Sequence, residues 1–334
     1  MSLIFLSINL FGQKITREFV IERPQIKISN SLYNTIKFVD SRIDTSNLGF
    51  VMVDKLNHKA KVIIKSPFST QISKTLINLI DSSSKSGKLL FQLRQLKFSI
   101  HTSGTNERGY CTFNAILYSN NNNTYQKLAS LDTIAGISAP EVSNAIINIG
   151  SQIIIDFIVS NIKKTLGDSI GYSYKNILNI DSIEKRKIKI YNTDLYTEGL
   201  YYSYGSFKDQ IPDMSILVKQ KQDSSISYVK IFENNKWNKI KSENVYAIVY
   251  HGTPYVATKF GYYQLNKSDD KLYFVGKVKP NANTEEEVGS TGLLGSISNI
   301  IVSNTGTASY FIILNHINGK FIYYKEMPGP GHLF

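Results

Sequence analysis

Most active sites are built from histidine, cysteine and paired carboxylates, and this chain of 334 residues is sparing with them, holding five histidines and one cysteine. His58, His101, His251, His316 and His332 are widely separated. None falls in an HExxH or other close zinc spacing, and no DxDxDG calcium loop occurs. There is no GxSxG elbow, no phosphate-binding GxxxxGK loop and no CxxC pair. His251 and His316 sit in turn-like segments, where a solvated imidazole is expected. Cys111 lies on the apolar parity of a strand, so a buried, inert thiol is expected. Asp194, Glu198, Asp209 and Asp213 cluster around one aromatic segment. Two carboxyls meeting in space could hydrolyse a bond by acid–base catalysis, but solvated turn positions account for them adequately. The sequence thus assigns no catalytic, cofactor-binding or metal-binding residue.

Tyrosine is in excess, 21 Tyr against 1 Trp. Tyr201, Tyr202, Tyr204, Tyr250, Tyr255 and Tyr262 form the candidate interaction surface, with Tyr246 and Tyr263 on the same predicted strands. Tyrosine joins a large contact area to a polar tip, which suits protein interfaces and sugar platforms. It also favours strands with one wet face.

At 37.7 kDa the chain exceeds one ordinary core, so two domains are expected. Apolar residues at 42% and charged residues at 19% fit a globular protein rather than a disordered one. The net charge of +12 is spread among Asn, Ile and Ser instead of gathered on one face, unlike a nucleic-acid footprint. A single cysteine excludes an internal disulfide framework.

The opening MSLIFLSINLFGQ is apolar from Leu3 to Phe11 and breaks at Gly12-Gln13, as a signal peptide over residues 1–13 would, although it lacks a positive start. Ala145 to Ile162 is the other long apolar run. Asn148, Gln152 and Asp156 put a polar edge on it, so it reads as a core helix rather than a membrane span.

Residues 14–167 read as an α+β domain. Strands are expected around Thr35 to Asp40 and Phe50 to Lys65. Ser66-Pro67 opens a helix with Phe68, Ile72, Leu76 and Leu79 as its buried stripe, ended by the run to Gly87. In LLFQLRQLKFSI, Leu89, Phe91 and Leu93 share one parity, while Leu96, Phe98 and Ile100 take the other. That phase change predicts a β-bulge near Arg94-Gln95. A strand from Tyr110 to Tyr118, joined by the loop HTSGTNERG, and another from Tyr125 to Ile134 follow. Ser138 to Glu141 has the capping-box pattern and would start the long helix bearing Val142, Ile146, Ile149, Ile153 and Phe157. The order gives an α/β sandwich, an antiparallel sheet with two helices on one face.

Over residues 30–166 the chain resembles the auxiliary periplasmic lipoproteins of bacterial lipid-transport ABC systems. VDSR at Val39 to Arg42, the SPFS helix start at Ser66, the LLFQLRQLKFSI strand and the closing helix carry this resemblance. It implies a fold and a compartment, and no functional residue follows from it. The family's lipid-anchored cysteine has no counterpart after the opening apolar stretch. The ending LFGQ, followed by the polar KITREF, resembles exported proteins of Bacteroidetes.

Residues 168–187 read as a linker, 188–325 as a Tyr-rich, mainly antiparallel β domain, either sandwich or barrel, and 326–334 as a tail. In LYTEGLYYSYGSFKDQIPD, Gly199 permits a turn, Leu200 to Tyr204 form a strand, and Ser206 caps a helical turn ended before Pro212. This segment also resembles one recurring in exported Bacteroidetes proteins. The glycine-rich loop from Pro280 lacks phosphate-loop spacing and reads as a surface loop.

These features point to a non-enzymatic exported cell-envelope protein, periplasmic or associated with the outer membrane or cell surface. It would serve as an accessory that docks onto an envelope protein partner, using exposed strand edges and tyrosines. A carbohydrate- or lipid-binding module is the alternative and requires a lined concave site or an aromatic strip. An envelope hydrolase built on the acidic cluster is third. Neither a cofactor, nor nucleic acid, nor a transmembrane span in the mature chain is expected.

Overall fold

The computed structural model describes residues 15–54, 58–103, 106–166, 170–278 and 308–326. The segment read as a signal peptide, the Pro280 loop and the tail beyond Glu326 lie outside the described residues. The chain divides between Leu178 and Asn179 into two compact units.

The first unit opens with β1 (Thr16–Phe19), β2 (Tyr33–Asp40), β3 (Phe50–Val53) and β4 (His58–Ile64), followed by α1 (Phe68–Leu79). As the spacing predicts, α1 starts after Ser66-Pro67 and buries Phe68, Ile72, Leu76 and Leu79. The Ser66 hydroxyl does not cap it. The Pro67 carbonyl accepts from the amides of Thr70 and Gln71 instead. The helix stops at Ile80, and Gly87 opens the next strand rather than ending the helix.

Three long strands follow: β5 (Gly87–Ser103), β6 (Asn106–Asn121) and β7 (Thr124–Ala139). They pair in the sheet order β2-β5-β6-β7-β8, where β8 is Gly171–Tyr172. The predicted bulge is present, as a register shift between Leu93 and Gln95. One extra residue restores the parity that alternation would otherwise lose. Leu89, Phe91, Leu93, Leu96, Phe98 and Ile100 therefore all enter the same core. The sheet is mixed rather than wholly antiparallel, because β2 runs parallel to β5. The crossover through α1 returns the chain in its original direction, which a hairpin cannot do.

α2 (Ser143–Val159) packs with α1 against that same sheet face, so both helices share one side. Its start differs from the expected capping box. Ser138 and Ala139 remain in β7, paired with Arg108 and Glu107. The amide of Val142 donates instead to the Glu107 carboxylate at 3.0 Å, a cap supplied from a neighbouring strand. Along its exposed edge the Gln152 amide donates to Asp156 at 2.7 Å. No helix among the described residues is long and apolar enough to cross a membrane.

The stretch expected to be a linker carries β8, α3 (Tyr174–Leu178) and α4 (Ile180–Lys185). Ile177 of α3 is buried with Leu90, Ile116 and Tyr118 on the opposite face of the five-stranded sheet. The Gln92 side chain donates to its carbonyl at 3.0 Å.

Among the described residues, the second unit holds three antiparallel sheets. The first joins β10 (Ile216–Gln220), β11 (Ile226–Glu233) and β12 (Lys236–Ile240). The next has the order β15-β14-β13-β9, with β9 Gly199–Tyr201, β13 Ala247–Tyr250, β14 Thr253–Thr258 and β15 Gly261–Gln264. In the last, β16 (Asn266–Ser268), β17 (Lys271–Val278), β18 (Ala308–Leu314) and β19 (Phe321–Glu326) pair in sequence. The β9 sheet is buried on both faces. Tyr201, Ala247, Val249 and Val256 meet Phe274, Ile312 and Leu314 on one side. Leu200, Ile248 and Ala257 meet Val229 and Ile231 on the other. This explains why Ala247 to Val249 is continuously apolar instead of alternating. Between β9 and β10, Ser203 caps the short helix α5 (Tyr204–Lys208), and Ser206 returns the bond from inside its first turn. The cap falls three residues earlier in the chain than the sequence suggests, because Ser203 is extended and Ser206 is already helical.

Candidate functional site

Two of the six tyrosines expected on an interaction surface are core residues. Tyr201 is fully buried, and Tyr204 is 7% exposed. The Tyr201 hydroxyl donates to the Thr197 carbonyl at 2.6 Å. Tyr250, Tyr255 and Tyr262 are partly buried against the core shared with β11, and Tyr202 is exposed. The six do not form one surface. A different set explains part of the tyrosine excess. The hydroxyls of Tyr191, Tyr204 and Tyr246 donate to the carbonyls of Leu314, His316 and Gly319 at 3.3, 2.7 and 2.8 Å. Three rings thereby clamp the turn between β18 and β19 from inside the core. Buried phenols need acceptors, and a turn has carbonyls that no strand uses.

The acidic cluster is likewise structural in its contacts. Asp213 accepts from the Tyr202 amide at 2.7 Å and the Ser206 hydroxyl at 2.8 Å. Glu198 accepts from the Gly252 amide at 3.0 Å, and Asp209 closes α5. Asp194 is exposed. His316, expected to be solvated, is 6% exposed, because the tyrosine clamp draws its turn inward. Its Nε2 lies 3.0 Å from Glu184. Asp181, one turn earlier on α4, completes a group whose ligand atoms all lie within 4.8 Å. Two carboxylates and an imidazole could hold a divalent cation such as zinc. The sequence hides this group, since α4 and the turn lie far apart along the chain. His251 is exposed, as expected of a turn.

The outer face of the β10-β11-β12 sheet carries the most unusual surface. Val218, Val229, Ile231 and Ile240 point into the core. Alternation sends Leu217, Lys219, Tyr228, Lys230, Phe232, Trp237 and Lys239 outward. The register sets Lys219 opposite Tyr228, Leu217 opposite Lys230, Lys230 opposite Lys239, and Phe232 opposite Trp237. Three ammonium groups surround the Tyr228 ring, at 4.3 Å for Lys239, 5.8 Å for Lys230 and 5.9 Å for Lys219. The Phe232 and Trp237 rings pack 5.4 Å apart at 58°. Sequence reading missed this face because it weighed lysines by their spread along the chain. The available signal was Tyr-Val-Lys-Ile-Phe at Tyr228 to Phe232, where every second residue is a lysine or an aromatic.

In the first unit the site of interest is an edge. β7 pairs with β6 along its whole length, and on its other side with β8 only at Tyr125 and Gln126. From Lys127 to Ala139 no strand among the described residues pairs with its outer edge. That stretch contains no proline and alternates exposed with half-buried side chains, including an exposed Ile134.

No family model matches the chain, and no curated protein does. Among solved structures, protein XCC0632 from Xanthomonas campestris, of the DUF330 family, is similar at 9% identity, over 43% of this chain and 91% of that one, with a TM-score of 0.28. A likeness of that size carries no argument about this chain's activity.

Proposed function

We propose that the chain is a non-enzymatic, exported accessory protein of the cell envelope that docks onto an envelope protein partner. The open edge of β7 supports this reading. Natural edge strands are usually kept short or guarded by lysine, proline or a covering loop. From Lys127 to Ala139 the strand offers roughly 40 Å of backbone donors and acceptors, at about 3.4 Å per residue. An extended segment of a partner would add to it as a further strand, with main-chain bonds giving affinity.

The test uses the full chain, tagged in its native host, crosslinked gently and purified from the envelope fraction. Ser130→Lys with Ile134→Lys places two charges on the exposed positions of the edge without touching the core. A stoichiometric partner that is lost from this variant at unchanged thermal stability is the expected result. A partner retained at parental level would remove the edge from the argument, and recovery of the protein from the cytosol would remove the compartment. Turnover of ester, glycoside or phosphoester substrates by the pure chain would overturn the non-enzymatic part.

A further inference from the structure

We infer that the outer face of the β10-β11-β12 sheet is a membrane-contact surface, which settles on lipid headgroups carrying net negative charge. This goes beyond docking through β7 and stands on different residues, so either reading can fail alone.

Charge comes first. Lys230 and Lys239 are direct cross-strand neighbours, an arrangement that costs stability when nothing neutralises it. None of Lys219, Lys230 and Lys239 has an acidic partner among the described residues. Three cations held around one ring, without a carboxylate, form a site that is complete only with anions supplied from outside.

The aromatic pair Phe232 and Trp237 lies at one end of the same face, and Leu217 sits beside Lys230. Leu217, Phe232 and Trp237 are 49%, 48% and 39% exposed. Tryptophan and phenylalanine beside lysines is the composition of surfaces that rest in the headgroup layer, rings toward the acyl boundary and ammonium groups at the phosphates.

Geometry separates this from the other polyanions. Single-stranded nucleic acid needs ring faces open for stacking. Here Lys239 stands over the Tyr228 ring, and Phe232 and Trp237 are tilted against each other. An acidic protein with a fixed pattern is usually read by arginine forks or aimed backbone donors. This face has three flexible lysines, and the amides of β11, its central strand, are engaged in the ladders on either side. It therefore reads charge density and apolar contact, which a headgroup layer offers.

Trp237 is the only tryptophan in the chain, so its fluorescence reports on this face alone. The full chain is titrated with phosphatidylcholine vesicles, and with vesicles in which roughly a third of the lipid is phosphatidylglycerol, at low and high salt. A blue shift with cosedimentation on the anionic vesicles only, reversed by salt, is expected. Lys219→Gln, Lys230→Gln and Lys239→Gln should each lower the apparent partition about fivefold, since each basic residue near such a surface contributes on the order of that factor. No shift on anionic vesicles, an equal shift on neutral ones, or full binding by the triple variant would overturn the inference. So would a short oligodeoxynucleotide or soluble polyglutamate that shifts Trp237 as strongly at equal anion concentration. Circular dichroism of the triple variant checks that its sheet is intact.

Discussion

The phenol of Tyr204 donates to the main-chain carbonyl of His316 at 2.7 Å, one of three phenol bonds that hold the β18–β19 turn. Gly319, in the same turn, has φ +73°, and a Cβ there would stand 2.2 Å from the Tyr204 ring. Gly319→Ala should therefore destabilise the second unit by about 3 kcal/mol, from the left-handed backbone and the clash together. Tyr204→Phe removes only the bond and leaves a buried carbonyl unpaired, at a cost of about 1–2 kcal/mol. Denaturant titration of both variants checks the order; a Gly319→Ala variant as stable as the parent would contradict the packing.

The VDSR sequence has a structural meaning. Arg42 is buried, with Nε 2.9 Å and Nη2 2.7 Å from the two oxygens of Asp40. Its guanidinium lies 5.4 Å from the centroid of Phe68, the first residue of α1. Removing one partner strands a buried charge, so Asp40→Ala should cost about 3 kcal/mol. Arg42→Met, which removes the charge and keeps the stem, should cost less. Equal losses in urea melts would argue against this account.

Gly150 lets α2 lie close to the sheet. A Cβ there would meet the Phe98 ring at 2.6 Å and the Cys111 sulfur at 3.2 Å. Burial pushes the Cys111 thiol up to about 12, so it is protonated and inert at neutral pH. Iodoacetamide should label the native chain only as fast as the first unit opens. Gly150→Ala should speed labelling and lower stability by about 2 kcal/mol, even though alanine is the better helix former. Rapid labelling of the parent would show that Cys111 is accessible.

Alkaline pH should loosen the second unit, where most of the raised phenols lie. Burial raises Tyr201 and Tyr262 from 10 to about 12, and Tyr246 well above its ordinary value. In the unfolded chain these phenols ionise near pH 10; in the fold they stay neutral. A folded value above the unfolded one means that stability is full below pH 10 and falls as pH rises through the folded values. Each such group removes up to about 1.4 kcal/mol per pH unit in that range. Denaturant midpoints measured between pH 8 and about 12 test this, with tyrosinate absorbance rising as the unit unfolds. A midpoint flat to the top of that range would contradict it.

Local pattern fixed much of the first unit. The phase change at Arg94-Gln95 had to become a bulge, because a strand's side chains have period two and the core lies on one side. The α1 stripe was legible for the parallel reason, three- and four-residue spacing on a helix. What sequence alone could not show were relationships closed through space. Glu107 caps α2 from another strand and displaces the Ser138 box, since β-pairing holds Ser138 extended. β2 joins β5 in parallel because of where α1 packs. Tyr201 and Tyr204 looked like surface residues until the third sheet covered them, as one strand's alternation cannot tell whether its second face meets water or another sheet. The lysine face was written plainly in β11, yet its meaning needed β10 and β12 alongside, for only register brings Lys219, Lys230 and Lys239 to one ring. Sequence by itself determined which residues alternate and where chain direction changes, because those depend on neighbours in the chain. Tertiary structure decided which faces are covered, which edges stay open and which charges lack partners, because each depends on atoms that folding alone brings together.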